Sequence, residues 1–169
     1  MECVSCISPC SECETTTTTC SACISDYYLY NSICYSSCPP GTVKDDTTMQ
    51  CLSCTSPCSE CETTTTSCST CISNYYLFDS VCYATCPPGT VKDDNTMECV
   101  SCISPCSECE TTTTSCSTCI SNYYLLGSVC YASCPPGTVK DDNTMECVSC
   151  SSPCSECETT TTTCSACIS

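Results

Sequence analysis

Cysteine is the residue in this chain best placed to do chemistry. Thirty of the 169 residues are cysteine, and histidine is absent. The cysteines follow one spacing, C-x2-C-x3-C-x2-C-x6-C-x2-C-x10-C-x3-C-x12, and then the pattern begins again. Pairs spaced Cys-x2-Cys admit three chemistries. A redox centre needs one low-pKa thiolate in an electropositive setting. A zinc centre gathers thiolates from two such pairs. A structural staple joins the sulfurs as disulfides. Acids surround these cysteines, and without histidine no nucleophile–base pair can be assembled, so no enzyme and no cofactor is expected. Zinc, or a metallothionein-like store, stands as the alternative to disulfides at this point.

The elements that position the sulfurs repeat with a period of 48 residues. Cys3, Cys51, Cys99 and Cys147 open successive copies, giving repeats over 3–50, 51–98 and 99–146, a partial repeat over 147–169, and residues 1–2 as the tail of a preceding copy. A fixed period of this length marks a repeat array whose modules stack on their neighbours. Met1-Glu2 aligns with Met97-Glu98, and Cys167-Ile168-Ser169 stops where Tyr-Tyr-Leu should follow. The expectation is a segment of a longer protein. No secretory, transmembrane or lipid-anchor signal is visible in it.

Composition narrows the class. Cysteine at about 18 % far exceeds the roughly 8–10 % that marks a disulfide scaffold. Such chains persist in oxidising compartments, so an extracellular or cell-surface location through the secretory pathway is expected. The longest cysteine-free stretch is 12 residues, too short for a conventional helical core. With no Trp and one Phe, hydrophobic burial per unit is small and covalent staples must hold the fold. Nineteen acids against three lysines give a net charge of −16. That charge excludes nucleic acid as a partner and disfavours anionic lipid. It fits a solvated, self-repelling chain, or neighbours bridged by divalent cations.

Within the third unit, Cys99 to Pro105 is rich in turn formers, and the threonines after Glu110 suit extended chain. Tyr123-Tyr124-Leu125-Leu126 and Val129-Cys130-Tyr131 flank Gly127-Ser128 and read as a short hairpin. Successive units place Asn31, Asp79 and Gly127 at that turn, three residue types that tolerate positive φ. Asp26, Asn74 and Asn122 form a second such set. Pro136-Gly137 signals a type II turn, and Val139 to Glu146 reads as a polar connector. The fold class is therefore a small disulfide-rich repeat array of short β-hairpins and loops, with little or no helix, drawn out as an extended rod. Eight cysteines per unit allow 105 connectivities. Bridges inside Cys-x2-Cys close strained small rings, so each member should pair elsewhere.

The order of three Cys-x2-Cys pairs, Tyr-Tyr-Leu and Cys-x3-Cys-Pro-Pro-Gly-Thr resembles the furin-like repeats of the growth-factor-receptor cysteine-rich family, as in cysteine-rich surface proteins of protists. The resemblance covers the whole chain. One departure is Asp or Asn where the family often has Gly before the tyrosine pair. The resemblance implies two interlocked bridges, Cys6–Cys13 and Cys10–Cys20, followed by two single-bridge bows, Cys23–Cys34 and Cys38–Cys51. Later units repeat this as Cys54–Cys61, Cys58–Cys68, Cys71–Cys82 and Cys86–Cys99, then Cys102–Cys109, Cys106–Cys116, Cys119–Cys130 and Cys134–Cys147, then Cys150–Cys157 and Cys154–Cys164. Cys3 and Cys167 are left over, with partners expected beyond the chain ends.

Other residues offer weaker chemistry. Threonine runs recur once per unit: Thr15, Thr16, Thr17, Thr18 and Thr19; Thr63, Thr64, Thr65 and Thr66; Thr111, Thr112, Thr113 and Thr114; Thr159, Thr160, Thr161, Thr162 and Thr163. They suit either plain extended loops or clustered O-glycosylation. No Asn-x-Ser/Thr acceptor occurs. Asp93-Asp94-Asn95 with Glu98 could offer oxygens to calcium, but the first unit substitutes Thr47 and Gln50, so a polar turn is the better reading. Of each tyrosine pair, one ring should pack on a cystine and one should face outward as a lateral contact. The second and third units differ at five positions, 52, 55, 78, 79 and 85. Units so alike suit a coat, fibril or stalk that self-associates through equivalent surfaces, with glycans as further partners. A receptor segment or adhesin binding a protein or glycan is the alternative. No direct membrane insertion of this segment is expected.

Overall fold

The computed structural model describes residues 5–167. Among them there is no helix, so none long and apolar enough to cross a membrane. Short strands joined by tight turns make up the fold, as the cysteine spacing and turn residues require. The chain divides into two compact bodies, residues 1–84 and residues 85–169.

The first body opens with β1 (Cys10–Cys13), paired antiparallel to β2 (Cys20–Cys23). A bulge at Glu12 shifts the register, so that Cys10 lies opposite Cys23 and Cys13 opposite Cys20. Next come β3 (Tyr28–Tyr30), β4 (Ile33–Tyr35), β5 (Thr42–Asp45) and β6 (Gln50–Ser53), which form one sheet in the order β4-β3-β6-β5. The body continues with the pair β7 (Cys58–Cys61) and β8 (Cys68–Cys71), then the hairpin of β9 (Tyr76–Phe78) and β10 (Val81–Tyr83).

In the second body β11 (Thr90–Asp93) pairs with β12 (Glu98–Ser101), and β13 (Cys106–Cys109) with β14 (Cys116–Cys119). The strands β15 (Tyr124–Leu126), β16 (Val129–Tyr131), β17 (Thr138–Asp141) and β18 (Glu146–Ser149) form a second four-stranded sheet, ordered β16-β15-β18-β17. The last pair is β19 (Cys154–Cys157) with β20 (Cys164–Cys167).

The turn chemistry explains why the strands are so short. Asn31 and Ser32 both take positive φ, 48° and 62°, as do Asp79 and Ser80. Two such residues make a type I′ turn, whose twist matches a two-residue hairpin. Gly127 holds the first of these positions at φ 61°. Gly137 sits at φ 80° in the Pro135-Pro136-Gly137-Thr138 turn, closed by the Thr138 N–H donating to the Pro135 carbonyl at 3.1 Å. The Gly137 carbonyl then accepts the N–H of Cys150, which fixes where the following unit begins.

Residues 139–146 are more ordered than a polar connector. Thr138–Asp141 and Glu146–Ser149 form a hairpin in which Val139 faces Val148. The Asp141 carboxylate accepts the Asn143 N–H at 2.9 Å, and the Met145 N–H donates to the Asp141 carbonyl at 2.8 Å. Met145 carries positive φ, 58°. Its carbonyl accepts the N–H of Leu125, so β18 runs parallel beside β15. The same hairpin recurs as β5–β6 and β11–β12.

Cystine sulfur forms the core. Cys10, Cys20 and Cys34 are buried together, with Cys6, Cys23, Tyr27 and Leu29 packed on them. Equivalent clusters centre on Cys58, Cys68 and Cys82, and on Cys106, Cys116 and Cys130.

Candidate functional site

The structure joins Cys6–Cys13, Cys10–Cys20, Cys23–Cys34 and Cys38–Cys51 in the first unit. The second unit holds Cys54–Cys61, Cys58–Cys68, Cys71–Cys82 and Cys86–Cys99. Cys102–Cys109, Cys106–Cys116, Cys119–Cys130 and Cys134–Cys147 follow, then Cys150–Cys157 and Cys154–Cys164. Cα separations of 5.0 to 5.8 Å lie within the span a disulfide bridges without backbone movement. Cys167 is exposed and without a partner among the described residues. Cys3 lies outside the described residues.

The bulged register of β1 and β2 puts Cys10 and Cys13 on neighbouring bonds of an interlocked pair. The sulfurs of Cys10, Cys20 and Cys34 lie within 4.8 Å of one another, as do those of Cys58, Cys68 and Cys82. A metal would need thiolates at such a cluster. Here each of these sulfurs is already bonded to another, so the cluster is a stack of cystines.

A second constellation joins the hairpins. Tyr28 donates its phenol to the Asp46 carboxylate, and Tyr124 does so to Asp142 at 2.6 Å. The Lys44 ammonium lies 4.8 Å from the centre of the Tyr28 ring, and Lys140 lies 5.3 Å from that of Tyr124. Cross-strand register explains this grouping: Lys140 lies opposite Cys147 on the sheet face that also carries Tyr124 and Tyr131. The hydrogen bond to Asp142 raises the Tyr124 pKa, as Asp46 raises that of Tyr28. Asp45 is lowered, first by the Thr48 hydroxyl, while Asp93 and Asp141 are lowered first by the backbone N–H groups of Asn95 and Asn143. These carboxylates brace their own turns.

The tyrosine pair departs from the expected one-in, one-out arrangement. Tyr123 packs half-buried on the Cys106–Cys116–Cys130 cluster. Tyr124 is buried as well, at 8 % exposure, because Asp142 and Lys140 close over it. Aliphatic residues are exposed instead, among them Ile33, Val81 and Val129 on the hairpin strands. The Tyr–Asp partnership went unread in the sequence, although both residues recur 18 apart in each complete unit.

The threonine runs form turns that differ along their length. Thr16 accepts the Thr19 N–H at 3.2 Å, and Thr64 accepts that of Ser67 at 3.1 Å. Beside each later run lies an open cleft. Where the second unit meets the third, Val91 and Val100 line it with Asp93, Asp94, Asn95 and Thr111, enclosing about 360 Å³. The next copy is lined by Val139, Val148, Asp141, Asp142, Asn143 and Thr159, at about 350 Å³. A cleft of about 450 Å³ between Val43, Lys44 and Asp46 on one side and Glu62 and Thr63 on the other occupies the corresponding place in the first body. No family model matches the chain, and no curated protein matches it.

Proposed function

We propose that this chain is part of a structural protein of the cell surface or extracellular space, a coat, fibril or stalk built from furin-like repeats. The observation that carries the reading is the array of fourteen disulfides repeated at one spacing among the described residues, with buried cystine clusters in the first three units. Such bonding suits an oxidising compartment. Small modules that cannot bury enough apolar surface are held this way, and near-identical copies suit a periodic scaffold. The role is mechanical and non-enzymatic, and the units associate with further copies through surfaces that recur every 48 residues. Exposed aliphatic residues at those surfaces, Ile33, Val81 and Val129, support a lateral contact.

Electron microscopy of the native surface tests this. Ordered fibres or a lattice with a spacing set by the repeat support it. A dispersed, monomeric protein that captures one specific ligand would contradict it and favour a receptor or adhesin.

A further inference from the structure

We propose that the first threonine of each later run, Thr63, Thr111 and Thr159, carries a single O-linked neutral sugar, and that the cleft beside it seats that sugar. The proposal rests on the extracellular reading above, because the modification belongs to the secretory pathway.

The hydroxyls of a run are not equivalent. The second threonine is engaged: Thr16 and Thr64 accept backbone N–H groups, and the Thr160 and Thr163 hydroxyls share a hydrogen bond at 2.7 Å. The third is half-buried, and its carbonyl ties the loop down. Thr65 accepts the Thr55 N–H at 2.6 Å, Thr113 that of Ile103 at 2.7 Å, and Thr161 that of Ser151 at 2.7 Å. The fourth turns its hydroxyl to the second, at 3.3 Å for Thr66 and Thr64 and 3.4 Å for Thr114 and Thr112. Thr63, Thr111 and Thr159 are exposed, and their hydroxyls make no hydrogen bond among the described residues. Each is thus the hydroxyl of its run that a transferase can take without dismantling the turn.

The cleft supplies the second argument. Each of these threonines stands on its rim. Volumes of about 350 to 450 Å³ sit at the small end of ligand sites, about 300–1,000 Å³, which suits one or two sugar rings. A sugar has an apolar C–H face and a rim of hydroxyls. The valine pair Val91 and Val100 offers the first a floor, and Asp93 and Asn95 offer the second acceptors and a donor. Carboxylates outnumber lysine around the cleft, so an anionic sugar is repelled and a neutral hexose or N-acetylhexosamine is favoured. In the transfer step the threonine Oγ1 attacks the anomeric carbon of a nucleotide-activated sugar. The bond from that carbon to the diphosphate oxygen breaks, the nucleoside diphosphate leaves with the electron pair, and the hydroxyl proton passes to a base of the glycosyltransferase.

The test is site-resolved mass spectrometry of the native, oxidised protein, using fragmentation that keeps glycans attached. The expected result is one hexose or N-acetylhexosamine stem per run, on Thr63, Thr111 and Thr159. Glycans spread evenly along the runs, confined to the second to fourth threonines, or absent would overturn the proposal. The same digest reports the disulfides, so failure of the sugar assignment is separate from failure of the extracellular reading. A second arm follows amide exchange at Asp93–Asn95 before and after enzymatic removal of the sugar. Exchange several-fold faster after removal supports seating in the cleft, and unchanged exchange overturns it. The variant T111V should lose the sugar of its own unit alone, whereas T112V should keep it.

Discussion

Replacing Cys119 and Cys130 together by alanine should loosen the second body far more than loop length alone dictates. The bridge closes 12 residues, for which chain entropy gives about 2.8 kcal/mol. Cys130 is also buried at 8 % exposure against Cys106 and Cys116, with Tyr123 and Leu125 packed on the cluster. Removing its sulfur leaves a void there, which adds about 1 kcal/mol. The total is about 4 kcal/mol. The double variant C150A/C157A provides the comparison. It opens an 8-residue loop between two half-buried cysteines, for about 2.5 kcal/mol. Loop length separates the two by only about 0.3 kcal/mol, so a larger gap reads out core packing. Hydrogen exchange measures it site by site. The amides of Cys116 and Leu125, which donate to the carbonyls of Ser128 and Met145, report on the first variant. The amides of the β19–β20 pair report on the second. Protection should fall roughly tenfold further at the first site than at the second. If the two losses match, or the order reverses, cystines are not the core and the packing argument fails.

Four further outcomes follow from the turns and the titrating groups. Gly137→Ala should cost about 1–2 kcal/mol in denaturant unfolding, because its φ of 80° is left-handed, although an added Cβ would meet the Ser155 carbonyl only at an ordinary contact distance of 3.5 Å. Gly127→Asn should be nearly neutral in the same assay, since that position is open and the first unit already carries Asn31 there. Ultraviolet titration should show the Tyr124 phenol ionising above the usual value near 10, and Asp142→Asn should bring it down. Its bond stabilises the fold fully below that unfolded value and is lost as pH rises through the higher folded one. Asp45, Asp93 and Asp141 act in the opposite direction. Their contribution is present above the unfolded carboxylate value near 4 and is lost as pH falls through the lower folded one, which carboxyl NMR titration of each turn would follow.

Much of this fold was legible because covalent and steric constraints are local. Cysteine spacing announced the repeat, and the substitution set Asn31, Asp79 and Gly127 announced a left-handed turn. What escaped depends on contacts between segments. Thr138 to Asp141 alternates for only four residues and is mostly polar, so its strand is declared only by its partner across Val139 and Val148. Met145 at positive φ runs against its residue type and is held by the Asp141 carbonyl and by β15. The sequence predicts one ring of each tyrosine pair at the surface, but Tyr124 is covered as well as Tyr123 because Asp142, 18 residues later, folds back to its hydroxyl. The threonine runs looked uniform because identical letters hid four different hydrogen-bonding positions.

The central claim is that the sulfurs are oxidised in one repeating connectivity. Thiol titration of the denatured, non-reduced protein, with peptide mapping of its bridges, tests this most directly. The account expects almost no free thiol across residues 6–164 and the four bridges of the first unit, Cys6–Cys13, Cys10–Cys20, Cys23–Cys34 and Cys38–Cys51, found again in each later copy. Thiols in bulk with bound zinc, or bridges whose partners change from one unit to the next, would contradict it.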